Sequence, residues 1–219
     1  MRPSSRQKRD AALKAAERQF LTTGYESVTM DSIAAESGVA KQTLYSYFGS
    51  KRELFLELVS ARTMAASASV LAEVPAVDTV TDPRALLHDV LRAQLKTVLT
   101  PTILGLRRLV IGEVTRSPEL AAALYEHGPR KAIAKLAGIL RAFSDRGVLR
   151  VVDADLAATQ LNWLVMGEPV NRAMHLGDEA AKMSDAEIEL QVGAALDTFL
   201  GGAVEFLGGA AETPTDPTR

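Results

Sequence analysis

Apolar residues recur along the chain at intervals of three and four, the spacing that lines one face of an α-helix. Leu13, Ala16 and Phe20 form a first stripe, and Leu54, Leu58, Ala61 and Ala65 a second. Leu87, Val90, Leu91, Leu95 and Val98 make a third, followed by Ile133, Leu136, Leu140 and Phe143. Ile188, Val192, Ala195, Leu196, Phe199 and Ala203 form the last. Over residues 153–166 the apolar positions run nearly all round, through Leu156, Ala157, Ala158, Leu161, Trp163, Leu164, Val165 and Met166. A helix without a polar face is buried, within a core or at a subunit interface. The one strand-like run, Val148-Leu149-Arg150-Val151-Val152, is too short and isolated to build a sheet. The pattern predicts an all-α fold.

Local punctuation agrees with it. Asp82-Pro83 and Ser117-Pro118 each read as an N-cap followed by proline at the first helical position, where its missing N–H is no loss. Ser50-Lys51-Arg52-Glu53 and Ser184-Asp185-Ala186-Glu187 match the capping box. Residues 72–81, with Pro75, read as a loop between two halves, and 212–219 as a disordered tail. Phe199-Leu200-Gly201-Gly202-Ala203-Val204-Glu205 is echoed by Phe206-Leu207-Gly208-Gly209-Ala210-Ala211-Glu212. Two readings of this echo stand: a continued helix packed closely through its glycines, or a helix that frays after Leu200.

Residues 22–55 carry the most chemistry. Gly24 ends the first helix, Thr29 caps a short second one over Met30–Ser37, and Gly38-Val39-Ala40 forms a tight turn. A third short helix begins at Lys41 and ends at Tyr47 or Phe48. Two short helices joined by a three-residue turn containing glycine make a helix-turn-helix. Leu44 and Phe48, four apart, face the core and leave Lys41, Gln42, Thr43, Tyr45 and Tyr47 to its flanks or to solvent. Lysine donates to guanine, glutamine pairs with adenine, and threonine offers a methyl or a hydroxyl. Tyrosine hydroxyls and lysine ammonium groups bind phosphate, and Lys51, opening the next helix, is placed for it.

The spaced set Phe20, Gly24-Tyr25, Val28-Thr29-Met30, Ile33-Ala34, Ser37-Gly38-Val39, Thr43-Leu44-Tyr45, Tyr47-Phe48, Ser50-Lys51 and Leu54-Phe55 resembles, without a gap, the N-terminal domain of tetracycline-repressor (TetR-type) regulators. The resemblance implies a homodimeric, all-helical transcription factor, usually a repressor, that binds a palindromic double-stranded operator. It also implies a C-terminal bundle whose small-molecule effector releases DNA. It assigns Thr29, Tyr45, Tyr47 and Lys51 mainly to the phosphate backbone, and Lys41, Gln42 and Thr43 mainly to bases. Two departures stand out. Position 40 is often a capping serine in such proteins but is Ala40 here, and Ser46 sits where histidine or a bulkier residue is common. The domains implied are 1–52 for DNA binding, with a basic N-terminal arm carrying Arg2, Arg6, Lys8 and Arg9, and 53–211 for ligand binding and dimerisation.

Within the bundle, Leu95, Val98, Leu106, Tyr125, Trp163 and Met166 are candidate walls of an effector cavity, with Arg107, His127 and Asn162 as polar anchors. Each is equally an ordinary core residue by type. The apolar bias points to a lipophilic effector. The helix of 153–166, paired with the final helix from Asp185, would supply a four-helix seam between two subunits. Ligand in the bundle would shift the helix linking the halves, and with it the spacing of the recognition helices.

Composition narrows the alternatives. The chain has 219 residues, no cysteine and a net charge of −2. Disulfides, thiolate zinc sites and thiol nucleophiles are thereby excluded. The polar, basic first ten residues carry no signal-peptide core, and no apolar run is long enough to span a bilayer, so a cytoplasmic protein is expected. Three histidines, His88, His127 and His175, match no metal spacing, and no Gly-x-Gly-x-x-Gly, P-loop, Gly-x-Ser-x-Gly or His-Glu-x-x-His occurs. Neither an enzyme nor a cofactor protein is expected; a ligand carrier that has lost DNA binding is the other non-enzyme alternative. The charge also divides unevenly. Residues 1–60 hold nine basic and seven acidic side chains, and the remainder 16 and 20. A mildly basic end and an acidic bundle predict few phosphate contacts and a moderate salt slope.

Overall fold

The computed structural model describes residues 4–72, 77–202 and 205–206. The chain runs through α1 (Ser5–Thr23), α2 (Met30–Ser37), α3 (Lys41–Phe48), α4 (Lys51–Ala72) and α5 (Pro83–Val98). It continues through α6 (Pro101–Gly112), α7 (Pro118–His127), α8 (Pro129–Asp145), α9 (Ala154–Leu176) and α10 (Asp185–Gly202). Short 3-10 turns cover Val77–Thr79 and Asp178–Ala181, and β1 (Leu149–Arg150) pairs antiparallel with β2 (Glu205–Phe206). That ladder is only two residues long, and the fold is all-α. It nevertheless resolves the glycine echo: α10 stops at Gly202 and Glu205 is already extended, so the helix does not run on. Residues 207–212 of the echo, and the tail 212–219, lie outside the described residues.

Prolines start four successive helices, at Pro83, Pro101, Pro118 and Pro129. Asp82 caps α5, accepting from the Arg84 N–H at 2.9 Å, whereas Ser117 makes no side-chain cap bond to α7. The Ser184–Glu187 box is complete: the Ser184 N–H donates to Glu187 Oε2 at 2.7 Å, and the Glu187 N–H to Ser184 Oγ at 3.3 Å. A further box opens α1, where the Ser4 N–H donates to Gln7 Oε1 at 2.7 Å and the Gln7 N–H to Ser4 Oγ at 3.3 Å. This cap corrects the expectation of a basic arm. Arg6, Lys8 and Arg9 are helical, and Arg9 is held by Glu57 at 2.6 Å and lies 5.3 Å from the centre of the Phe48 ring. Arg2 lies outside the described residues.

Two apolar cores organise the chain. One gathers Ala12, Ala16, Phe20, Ile33, Leu44, Phe48, Phe55 and Leu58 from α1–α4, together with Leu106, Val110 and Leu120 from α6 and α7. The other joins α5, α8, α9 and α10 through residues such as Leu87, Leu91, Leu140, Phe143, Leu161, Val165, Val192 and Phe199. Helix α6 belongs to both, since Leu104 packs in the second core.

Helix α9 contains a buried proline, Pro169, which cannot donate to the carbonyl of Val165 one turn back. Gln191 of α10 fills the gap, its Nε2 donating to Val165 O at 3.2 Å and to Leu164 O at 3.0 Å. The α9–α10 pair is thus locked where α9 is weakest. Gln191→Ala should lower stability by about 1 kcal/mol, the worth of a part-buried hydrogen bond to a carbonyl with no replacement donor. Urea unfolding at fixed protein concentration should show an earlier midpoint with an unchanged slope.

Candidate nucleic-acid interface

Helix α2 begins at Thr29, whose Oγ1 accepts from the Ser32 N–H at 3.1 Å while Ser32 Oγ accepts from the Thr29 N–H at 3.2 Å. It ends at Gly38, which adopts φ 67°, ψ 15°, a left-handed turn that glycine enters without a Cβ clash. The chain then reverses into α3. Val39, Leu44 and Phe48 are buried, which fixes the roll of α3 about its axis. The opposite face is left open, with Lys41, Gln42, Tyr45 and Ser46 exposed and Thr43 half-buried. Tyr45 is the largest apolar surface on that face, 44% exposed. Ala40 gives α3 no side-chain cap.

The flanking candidates are engaged inside the protein. Thr29 spends its hydroxyl on the α2 cap. The Tyr47 hydroxyl lies 3.0 Å from Ser5 Oγ, and its ring meets Phe48 edge-on. Lys51 donates to the carbonyl oxygens of Tyr25 at 2.9 Å and Glu26 at 3.3 Å, with its Nζ 4.4 Å from the centre of the Tyr25 ring. Its ammonium therefore clamps the α1–α2 turn. Lys41 is exposed but sits 2.7 Å from Asp31, and this hydrogen-bonded carboxylate holds its ammonium pKa above the usual value.

The nine effector candidates do not converge. Trp163 is 63% and Tyr125 55% exposed, so neither walls an interior cavity: Trp163 points off the outer face of α9, and Tyr125 off the solvent side of α7. Leu106 is buried with the DNA-binding helices, whereas Leu95, Val98 and Met166 pack in the bundle core. Asn162 is buried there too, accepting from Gln94 Nε2 at 3.0 Å. His127 Nδ1 is buried without a hydrogen-bond partner. Arg107 makes no ion pair or hydrogen bond among the described residues, and burial pushes its guanidinium below the usual pKa. Two surface clefts, of about 340 and 360 Å³, include none of the nine.

Sequence reasoning missed the junction between the two halves. Arg52 of α4 pairs with Glu119 of α7, and this contact draws the Glu119 carboxyl below its usual range. Arg116 donates to Glu26 at 3.2 Å across 90 residues of chain. At Gly105 an added Cβ would lie 2.6 Å from Leu21 Cδ2, so α1 packs tightly on α6 there. No local signal marks these pairs.

Similarity to known proteins follows this division. Residues 12–58 match the family model "Bacterial regulatory proteins, tetR family", and residues 85–202 match "AefR-like transcriptional repressor, C-terminal domain". The chain belongs to the TetR family. A TetR-family transcriptional regulator from Mesorhizobium loti MAFF303099 superposes with TM-score 0.83 at 28% identity, covering 91% of this chain and 98% of that one. The flavonoid-responsive regulator FrrA superposes with TM-score 0.73 at 32% identity, covering 89% and 95%. The uncharacterized HTH-type transcriptional regulator YezE of Bacillus subtilis (strain 168) is 27% identical over 138 residues, 62% of this chain and 69% of its own. As a TetR-family member the protein is a ligand-responsive, DNA-binding transcriptional regulator of the repressor type.

The uncapped start of α3 is testable on its own. Ala40→Ser should stabilise the protein by about 0.5–2 kcal/mol through the missing N-cap bond. Denaturant unfolding gives the gain, and hydrogen exchange should show slower amides in the first turn of α3.

Proposed function

We propose that the exposed face of α3 reads operator bases through Lys41, Gln42 and Thr43, with Tyr45 on a flanking phosphate. The observation that carries this is the roll of α3: Leu44 and Phe48 are buried, and Gln42 and Tyr45 are exposed. Glutamine presents the donor and acceptor pair that adenine matches, and phosphate contacts fix the register. Thr29, Tyr47 and Lys51 act first as positioning groups, because their polar heads are held by Ser32, Ser5 and the α1–α2 turn. Any phosphate contact they make is shared with that role. Residues 1–52 form the DNA-binding part and 53–211 the effector and dimerisation part of a cytoplasmic regulator without catalytic activity.

Dimerisation is supported by an apolar outer face. Leu156 and Trp163 of α9 and Leu190 of α10, the last 73% exposed, are large apolar side chains left open among the described residues. Gly167 and Gly193 on the same helices leave room for a close partner. Two copies joined there would make the four-helix seam and set two recognition helices about one DNA turn apart, ~34–36 Å, on a palindromic site. The effector is a small lipophilic molecule taken into the bundle among Leu95, Val98 and Met166, with the buried Asn162 as a polar anchor. FrrA, by name, responds to flavonoids. Binding there reaches the DNA-binding helices through α4 and also through α6, whose Leu104 and Leu106 sit in different cores. A coupling of ~1–3 kcal/mol would change DNA affinity about 5–150-fold.

Fluorescence anisotropy on sites selected from random DNA tests the readout. Tyr45→Ala should weaken binding about equally on all sequences, with little change in salt slope, because a phenol displaces no counterion from phosphate. Gln42→Ala should relax base preference at one position, at a cost of about 1–3 kcal/mol on the preferred site. Unchanged affinity and preference in both variants would overturn the assignment. Trp163→Glu and Leu190→Glu should each yield a folded monomer in light scattering, with operator affinity abolished.

A further inference from the structure

Lys41 opens α3 and is the one charged side chain in that helix. A cation there meets the positive end of its own helix dipole, and Ala40 supplies no side-chain cap to relieve it. The compensating charge comes from α2. Asp31, in the first turn of α2, sets both carboxylate oxygens on the ammonium, with Oδ1 at 2.7 Å and Oδ2 at 2.9 Å from Nζ. The pair spans the Gly38 turn and joins the starts of the two helices of the helix-turn-helix. Both side chains are largely exposed, 58% for Lys41 and 65% for Asp31. Neither has a further hydrogen-bond or ion-pair partner among the described residues. The other acid of α2, Glu36, is turned instead to Arg18 and Gln19 of α1.

An exposed carboxylate beside the base-reading face costs attraction to every duplex, because phosphates dominate that attraction. Its effect on Lys41 differs between sequences. On DNA that offers no base acceptor in the right place, the ammonium would stay with Asp31 and displace no counterion from phosphate. Without Asp31, the same flexible four-carbon stem would swing to the nearest phosphate on any sequence. On the operator, a guanine edge with its O6 and N7 acceptors would replace the carboxylate. An exposed ion pair contributes little, so that exchange is cheap.

We infer that Asp31 is a specificity-determining residue, which positions Lys41 for a base edge and withholds it from the phosphate backbone. The inference rests on the reading of Lys41 as a base contact. The carboxylate's own repulsion acts on operator and random DNA alike, so it cancels in the ratio of the two affinities. The withholding of Lys41 does not cancel, and that ratio isolates it.

The test is fluorescence anisotropy of the full chain over a salt series, on the selected operator and on a random-sequence duplex of equal length. Asp31→Asn should tighten binding to the random duplex at least threefold more than binding to the operator. On the random duplex its slope of log affinity against log salt should steepen by about 0.9, the mark of one further phosphate contact. The operator slope should stay as it is. In a Lys41→Ala background the same substitution should leave ratio and slope unchanged, and Asp31→Glu should keep the native ratio. Asp31→Ser repeats the neutralisation with a smaller side chain should Asp31→Asn fail to fold. A purely structural loss would weaken both bindings without steepening either slope, and that result would overturn the inference. So would an unchanged ratio in Asp31→Asn, or an equal change in the Lys41→Ala background. Lys41→Ala alone separates the two readings. If it loses preference at one base position while Asp31→Asn keeps the native ratio, the base contact stands and the role of Asp31 falls; if it keeps every preference, both fall.

Discussion

Phe20, Tyr25 and Phe55 pack ring against ring, with centroids 4.8–5.6 Å apart, and Leu106, Val110 and Leu120 of the bundle belong to the same apolar cluster. Helices α2 and α3 have eight residues each, too few to be stable by propensity alone. They persist because Ile33, Leu44 and Phe48 reach a core that α1–α3 do not complete alone. Helix α4 closes one side and α6–α7 another. The recognition helix is thereby slaved to the bundle: its aim is set by whichever arrangement of α4, α6 and α7 best fills that core. Apolar packing of this kind resists continuous deformation, so the two parts move as packed bodies.

The helix-turn-helix was legible because its information is local. Gly38 must turn left-handed, Thr29 must cap, and the four-residue spacing of Leu44 and Phe48 settles which face of α3 is out. What each polar head does was less legible, because Lys51 finds its acceptors 25 and 26 residues away and Tyr47 its partner 42 away. Trp163, Tyr125 and Leu106 lie outside the bundle core for a different reason. Residue type says that Trp163 and Leu106 avoid water, but not whether a cavity, a neighbouring domain or another subunit covers them. At the N-terminus the signal was present: Ser4-x-x-Gln7 is a capping box, and reading it would have made Arg6, Lys8 and Arg9 helical.

Charge at the DNA-facing end is less free than its sum suggests. Arg9, Arg18, Lys41 and Arg52 each pair with a carboxylate of this chain: Glu57, Glu36, Asp31 and Glu119. Such pairs at the surface contribute little to stability. A base-edge acceptor could therefore take Lys41 from Asp31 cheaply, though Asp31 would then stay behind as an unpaired negative charge near the groove. Non-specific attraction would be weakened by those resident acids more than specific contact, since only a well-placed base acceptor competes for the lysine. A modest net charge with paired side chains favours discrimination over raw affinity.

The same inequality governs how the two parts exchange information. The junction is held by an apolar core that is costly to open and by ion pairs, Arg52–Glu119 and Arg116–Glu26, that are cheap to rearrange. A change in α6 would then tilt the DNA-binding helices about the shared core, with the ion pairs adjusting. Because coupling is a free energy common to both ligands, operator DNA must alter effector affinity by the same factor by which effector alters DNA affinity. Rigidity at the core and softness at the rim together make that factor depend on α6, which touches both cores, rather than on any single contact to either ligand. Substitutions at the facing pair Gly105 and Leu21 should therefore change the coupling while leaving each isolated affinity nearly intact.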